Sequence, residues 1–191
     1  MWDIGANVGL FSFCAAALAG QSGSVLAIEP DLWLANLIYK SAQLWLRNNY
    51  PAAPVSVLCS AASNAYDLKH LQIARRARSS NHLKEAPGSS QSGGARDDQL
   101  SLSIDLDFLL KHFRPPSVLK IDVETHELEV LRGANALLTS ARPVIWCEVS
   151  PRNYAAMFEL LTSAEYDLFN AESKERLRGG HANWNTLAMP R

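Results

Sequence analysis

The sequence predicts an α/β fold, a mostly parallel sheet with helices on both faces. Three observations carry this. Short apolar runs alternate with helical patterns along most of the 191 residues, the order that builds βαβ units. The first run leads straight into a glycine-bearing turn, DIGANVG over residues 3–9. The second ends in an acid, Glu29, at the carboxyl end of a strand, where open α/β sheets bind ligands.

The elements follow in order. MWDI (1–4) is a remnant of a first strand, and residues 9–19 form a helix. The stretch VGLFSFCAAALAG (8–20) is apolar and ends in small residues, like the core of a signal peptide. No Lys or Arg precedes it and Asp3 is acidic, so it lacks a leader's basic region. It is also too short to span a bilayer, and a buried helix is expected. SVLAIE (24–29) is a buried strand. Residues 31–50 form a helix with Asp31 as N-cap and an apolar face that includes Leu34, Leu37, Ile38 and Trp45. Residues 53–61 form another strand. From Arg75 to Gln99 large apolar residues nearly vanish, and a flexible loop or insert is expected.

Order returns at 100–113, a short strand running into a helix, followed by the strand PSVLKIDVE (116–124). Residues 126–141 show Leu128, Leu131, Ala134 and Leu138 at the spacing of one buried helix face, with Gly133 inside. A strand (142–150), a helix (153–164) and two final strands (166–172 and 185–190) complete the pattern. The whole chain, 1–191, reads as a single domain.

Bulk properties exclude some function classes. Eighteen Lys plus Arg against nineteen Asp plus Glu give a net charge of -1. That balance offers no general attraction to nucleic acid or an anionic membrane. Cys14, Cys59 and Cys147 each sit in an apolar run and form no CxxC. Buried reduced thiols in a cytoplasmic protein are expected, and no metal site.

The turn at 3–9 narrows the cofactor. A dinucleotide fingerprint, G-x-G-x-x-G, is broken here by Asn7 and Leu10. Asp3, two residues before Gly5, would repel a pyrophosphate, yet a carboxylate there could receive the ammonium of an amino acid. S-adenosylmethionine has an adenosine end, an amino-acid end and no phosphate, which favours it over a nicotinamide dinucleotide. Glu29 is placed to accept hydrogen bonds from ribose hydroxyls.

A second constellation is LKIDVETHELEVLRGA (119–134). Its strand should lie beside the first, so its end faces the same crevice as Gly5. Asp122 and Glu124 could hold a substrate hydroxyl, and His126 could take its proton. Glu127 fits better as a capping acid at a helix start. A metal held by Asp122, Glu124 and His126 is the lesser alternative.

DIGANVGLFS, AIEPD, LKIDVETHELEVLRGA and VIWCEV stand in the order and spacing of the FkbM-type methyltransferases, and the chain resembles that family from residue 3 to about 150. The resemblance implies a Rossmann-like class I fold with a seven-stranded-type sheet and an antiparallel C-terminal strand. It implies S-adenosylmethionine as cofactor and O-methylation of a hydroxyl on a small molecule, sugar or glycan. Position by position, Asp3, Gly5, Asn7 and Gly9 match the cofactor loop, Glu29 the ribose acid, and Asp122, Glu124, His126 and Glu127 the second motif. His126 or Glu124 would serve as base, with Asp122 orienting. Family members carry a longer segment before the first motif, so the first strand reads as shortened. They also carry glycine where Thr125 stands, and a positive φ there would strain a β-branched residue. Two other classes stay open: a cofactor-binding remnant without turnover, and a nicotinamide-dependent oxidoreductase, opposed by the absent third glycine and by Asp3. Arg75, Arg76 and Arg78 suit a solvated loop or an anionic acceptor.

Overall fold

This computed structural model describes residues 1–76, 78–86 and 93–191. Along the chain run β1 (Trp2–Ile4), α1 (Leu10–Ala19), β2 (Val25–Ile28), α2 (Leu32–Arg47), β3 (Val55–Leu58), β4 (Ala61–Ala62) and β5 (Asp67–Ala74). After them come β6 (His82–Leu83), β7 (Ala95–Ile104), α3 (Leu106–Leu110), β8 (Val118–Ile121) and α4 (Glu127–Arg132). The chain finishes with β9 (Val144–Glu148), α5 (Tyr154–Ser163), β10 (Tyr166–Asn170) and β11 (Asn185–Pro190).

Seven strands pair in the order β10-β11-β9-β8-β1-β2-β3. The neighbours from β9 to β3 are parallel, and β11 runs antiparallel to both β9 and β10. Side chains alternate across β2, which is buried along its whole length. Leu26 and Ile28 join the large core that includes Leu106, Leu131 and Leu161 of α3, α4 and α5. Val25 and Ala27 pack instead among residues of α1 and α2, such as Ala16 and Ile38. Helices therefore cover both faces, as expected. Asp31 caps α2 by accepting from the N–H of Trp33 at 2.8 Å and of Leu34 at 3.4 Å.

Several expectations need correction. The helix at 9–19 forms, but it is not buried: only Ser12 and Ala16 are, while Leu10 and Leu18 are 64% and 89% exposed. An almost uniformly apolar helix carries no periodic signal of which side meets the sheet. Two of the three thiols, Cys14 and Cys59, are likewise exposed; Cys147 is buried and all three are free.

The segment 75–99 is not simply a loop. Its C-terminal part, from Ala95, belongs to β7, which pairs antiparallel with β5. A second sheet results, in the order β4-β7-β5-β6. Leu83 and Ala86 are buried there with Ala61, Leu71 and Ile73. Ala77 and residues 87–92 of that stretch lie outside the described residues.

Residues 126–141 do not form one helix. α4 ends at Arg132, and a π-turn occupies Leu137–Ala141. At Gly133 the backbone passes so close to β4's end that a Cβ would meet the Ser63 carbonyl oxygen at 2.4 Å. The Asp107 carboxylate caps the second piece, accepting from the N–H of Ala136 at 2.8 Å and of Leu137 at 2.9 Å. No helix among the described residues is long and apolar enough to cross a membrane.

Candidate active site

Three strand ends meet at the turn after β1. The N–H groups of Gly5 and Ala6 both donate to the Ile28 carbonyl at 3.0 Å. Asn7 N–H donates to Glu29 Oε2 at 2.8 Å, and Gly9 N–H to the Ala6 carbonyl at 2.8 Å. Gly5, Asn7 and Gly9 all have positive φ, 74°, 53° and 84°, the region glycine enters freely and Asn tolerates. Gly5 is also compelled by space, since a Cβ there would lie 1.8 Å from the Asp122 carbonyl oxygen.

Beneath this turn Asp3 is fully buried. Its Oδ2 accepts from Ser12 Oγ at 2.6 Å, and its Oδ1 lies 3.2 Å from Lys120 Nζ. The ammonium that Asp3 meets is thus the chain's own. Lys120, also buried, donates to the Gly5 carbonyl at 2.9 Å and lies 3.4 Å from Asp122 Oδ2.

A cleft opens above the turn, lined by Gly5, Asn7, Glu29, Asp122, Glu124 and His126. The structure so brings together six of the eight residues singled out in the sequence. Asp3 and Gly9 stand behind the lining; a Cβ on Gly9 would press on Phe13 and Ile38. The far wall was not foreseen. Leu71, Arg78, Asn81, His82 and Leu83 form it, from the second sheet and its connections. Arg78 pairs with Asp31 Oδ2, and Asn81 Nδ2 donates to the same oxygen at 2.8 Å. Gln99 Nε2 adds a bond to the Pro30 carbonyl at 2.6 Å. The arginine run was the one sequence signal for this wall.

Burial sets the electrostatics. Glu29 is buried, and desolvation pushes its carboxyl up to about 7, despite N–H donors from Asp31 and Asn7. Glu124 is raised to about 7, first by burial and then by Asp122, Glu148 and Glu127. His126 is pushed below its ordinary value, chiefly by burial, against the pull of Glu129. Its Nε2 lies 3.0 Å from Ser63 Oγ. Glu127 is buried and turned inward: its Oε1 accepts from Thr125 N–H at 2.7 Å and its Oε2 from Asn153 Nδ2 at 3.5 Å. The carboxylate thus braces the turn that precedes α4.

Thr125 has a φ of 75°, so the position does take the left-handed conformation that strains a β-branched residue. Its Oγ1 is also buried without a hydrogen-bond partner among the described residues. Replacing Thr125 by Gly is expected to stabilise the fold by about 1 kcal/mol, measurable as a higher urea midpoint at unchanged slope. Among the described residues no group of three or more His, Cys, Asp or Glu is arranged to hold a metal ion.

The family model "Methyltransferase FkbM domain" matches residues 3–168. Among solved structures, the chain is similar to the methyltransferase FkbM of Methylobacillus flagellatus KT, with a TM-score of 0.60 and 15% identity over 98% of this chain and 42% of that one. The chain therefore spans about two fifths of that protein's length. It is also similar to the precorrin-6y C5,15-methyltransferase of Geobacter metallireducens GS-15, with a TM-score of 0.53 and 14% identity over 100% of this chain and 78% of that one. No curated protein is significantly similar to it. At these identities the structural likeness is one of fold.

Proposed function

The chain belongs to the FkbM methyltransferase family, and from that premise we propose that it is an S-adenosylmethionine-dependent O-methyltransferase acting on a hydroxyl of a small molecule, sugar or glycan. One observation carries the choice of cofactor. The turn that would grip a pyrophosphate in a dinucleotide site gives the N–H groups of Gly5, Ala6, Asn7 and Gly9 to the carbonyls of Ile28 and Ala6 and to Glu29. The cleft above it presents three carboxylates, Glu29, Asp122 and Glu124, while its arginine is already paired to Asp31. Such a lining suits a cationic, phosphate-free ligand.

When bound, S-adenosylmethionine supplies a methyl group made electrophilic by its sulfonium. Glu29 would hold the ribose hydroxyls, and Ile28, Leu34 and Leu71 provide apolar wall for the adenine. Asp122 and Glu124 hold and orient the acceptor hydroxyl, and His126 accepts its proton. Because burial lowers the affinity of His126 for protons, the ring is neutral and ready to accept at pH 7. The three free cysteines suit a cytoplasmic setting.

Calorimetric titration tests the reading. S-adenosylmethionine and S-adenosylhomocysteine are expected to bind saturably, and Glu29→Ala to weaken both at least about tenfold, the scale of one charge-assisted hydrogen bond. Binding of NAD alone would overturn the proposal. Binding of the sulfur nucleosides with no turnover on any hydroxyl acceptor would favour the remnant reading.

A further inference from the structure

A line of side-chain hydrogen bonds leads away from His126, and its polarity can be followed atom by atom. Glu129 Oε2 accepts from Asn64 Nδ2 at 2.7 Å. A carboxylate only accepts, so the Asn64 amide is fixed with its nitrogen toward Glu129 and its oxygen toward Ser63. Ser63 Oγ donates to Asn64 Oδ1 at 3.4 Å. A hydroxyl has a single proton. Toward His126 Nε2, 3.0 Å away, Ser63 Oγ is therefore an acceptor, and Nε2 carries the ring hydrogen. The opposite polarity would turn a serine lone pair on the Asn64 oxygen, two acceptors face to face.

We propose that Ser63, Asn64 and Glu129 are positioning residues that hold His126 as its Nε2–H tautomer, leaving Nδ1 as the proton acceptor of the site. The catalytic use of that nitrogen rests on the methyltransferase reading; the tautomer does not. The surroundings make the line rigid. Ser63 is buried, its N–H donates to the Ile104 carbonyl at 2.9 Å, and Gly133 packs directly on its carbonyl. Arg132 Nη1 holds Glu129 Oε1 at 2.5 Å. Asn64 is exposed, so it can be exchanged without opening the core.

Nitrogen NMR of the full chain, labelled at its histidines and assigned with His126→Gln, decides the matter. In the parent protein at pH 7.5, His126 is expected to show a protonated Nε2 and an unprotonated Nδ1. Asn64→Leu removes the acceptor of the Ser63 proton, so the hydroxyl turns to Nε2 and the tautomer ratio shifts toward Nδ1–H by about tenfold, the scale of one net hydrogen bond. A protonated Nδ1 in the parent protein, or a ratio untouched by Asn64→Leu, would overturn the proposal. S-adenosylmethionine titrated into the same samples tests the cofactor separately. Failure to bind, with the tautomer pattern intact, would overturn the methyltransferase reading and leave the positioning line standing.

Discussion

Replacing Lys120 by Met destabilises the fold by about 3–5 kcal/mol, the cost of stranding a buried charge. The stranded group is Asp3, fully buried, with one oxygen on Ser12 and the other facing the lost ammonium. The Gly5 carbonyl loses its donor as well, at the point where β1 turns into α1. Met restores most of the volume, so cavity formation contributes little. The control is the pair Asp3→Asn with Lys120→Met, in which Asn still accepts from Ser12 and no charge is left over. Urea unfolding of both singles and the double is expected to show the double more stable than Lys120→Met alone. Equal stabilities of the two would mean that the ion pair contributes nothing beyond packing. The result bears on function too, since Lys120 ties together the ends of β1 and β8 that frame the cleft.

The main sheet was legible because its central strands, β1 and β2, are buried along their length and β8 nearly so. VLAI of β2 and VLKI of β8 are short apolar runs bounded by polar residues, and helices separate them. The second sheet was not legible, for the opposite reason. In β7 the residues Ala95, Arg96, Asp97 and Asp98 are all exposed, so no alternation marks them as a strand. They are extended because β5 offers a ladder, a pairing that composition cannot report. β5 itself mixes the exposed Leu68 with the buried Leu71, which blurs its period. The break at Gly133 was hidden differently. Its apolar spacing suits a continuous helix, and only the approach of the Ser63 backbone, seventy residues away in sequence, makes it a boundary.

The site was legible where the backbone dictates chemistry. Gly5 has no room for a side chain, and Glu29 and Asp122 follow β2 and β8, the two strands that flank β1, so their convergence on the turn after β1 follows from topology alone. What sequence could not supply was the company these groups keep. Asp3 meets Lys120, an ion pair across 117 positions, and Arg78 is drawn to Asp31 rather than to solvent. Asn64 and Ser63 carry no motif; they matter because Gly133 brings β4's end beside α4.

Exchanging His126 for Gln is expected to lower kcat by about 10²–10⁴-fold, the range for loss of a positioned general base, once an acceptor is in hand. The pH profile identifies the group. A base must be unprotonated, so kcat rises with pH through the base's own titration and is flat above it. Burial places His126 below the ordinary imidazole value of about 6.5. Glu124 is raised to about 7. If His126 is the base, the acid limb of kcat falls below pH 6.5 and disappears in His126→Gln. Glu124→Gln should then leave that limb in place and act mainly on KM, because its carboxylate holds the acceptor hydroxyl rather than taking the proton. A limb centred near pH 7 that vanishes in Glu124→Gln would assign the proton to Glu124 instead. The two groups answer to different neighbours, which makes the distinction sharp. Should Glu124 take up the acceptor's proton, its charge would leave a crowded acidic corner that also holds Glu127 and Glu148. Should His126 take it, the cation would be favoured by Glu129 and Glu85 and opposed by burial, Lys69 and Arg152. The two candidates therefore differ in kind: burial and like-charge crowding raise Glu124 to about 7 while burial lowers His126, and the midpoint of the acid limb separates them.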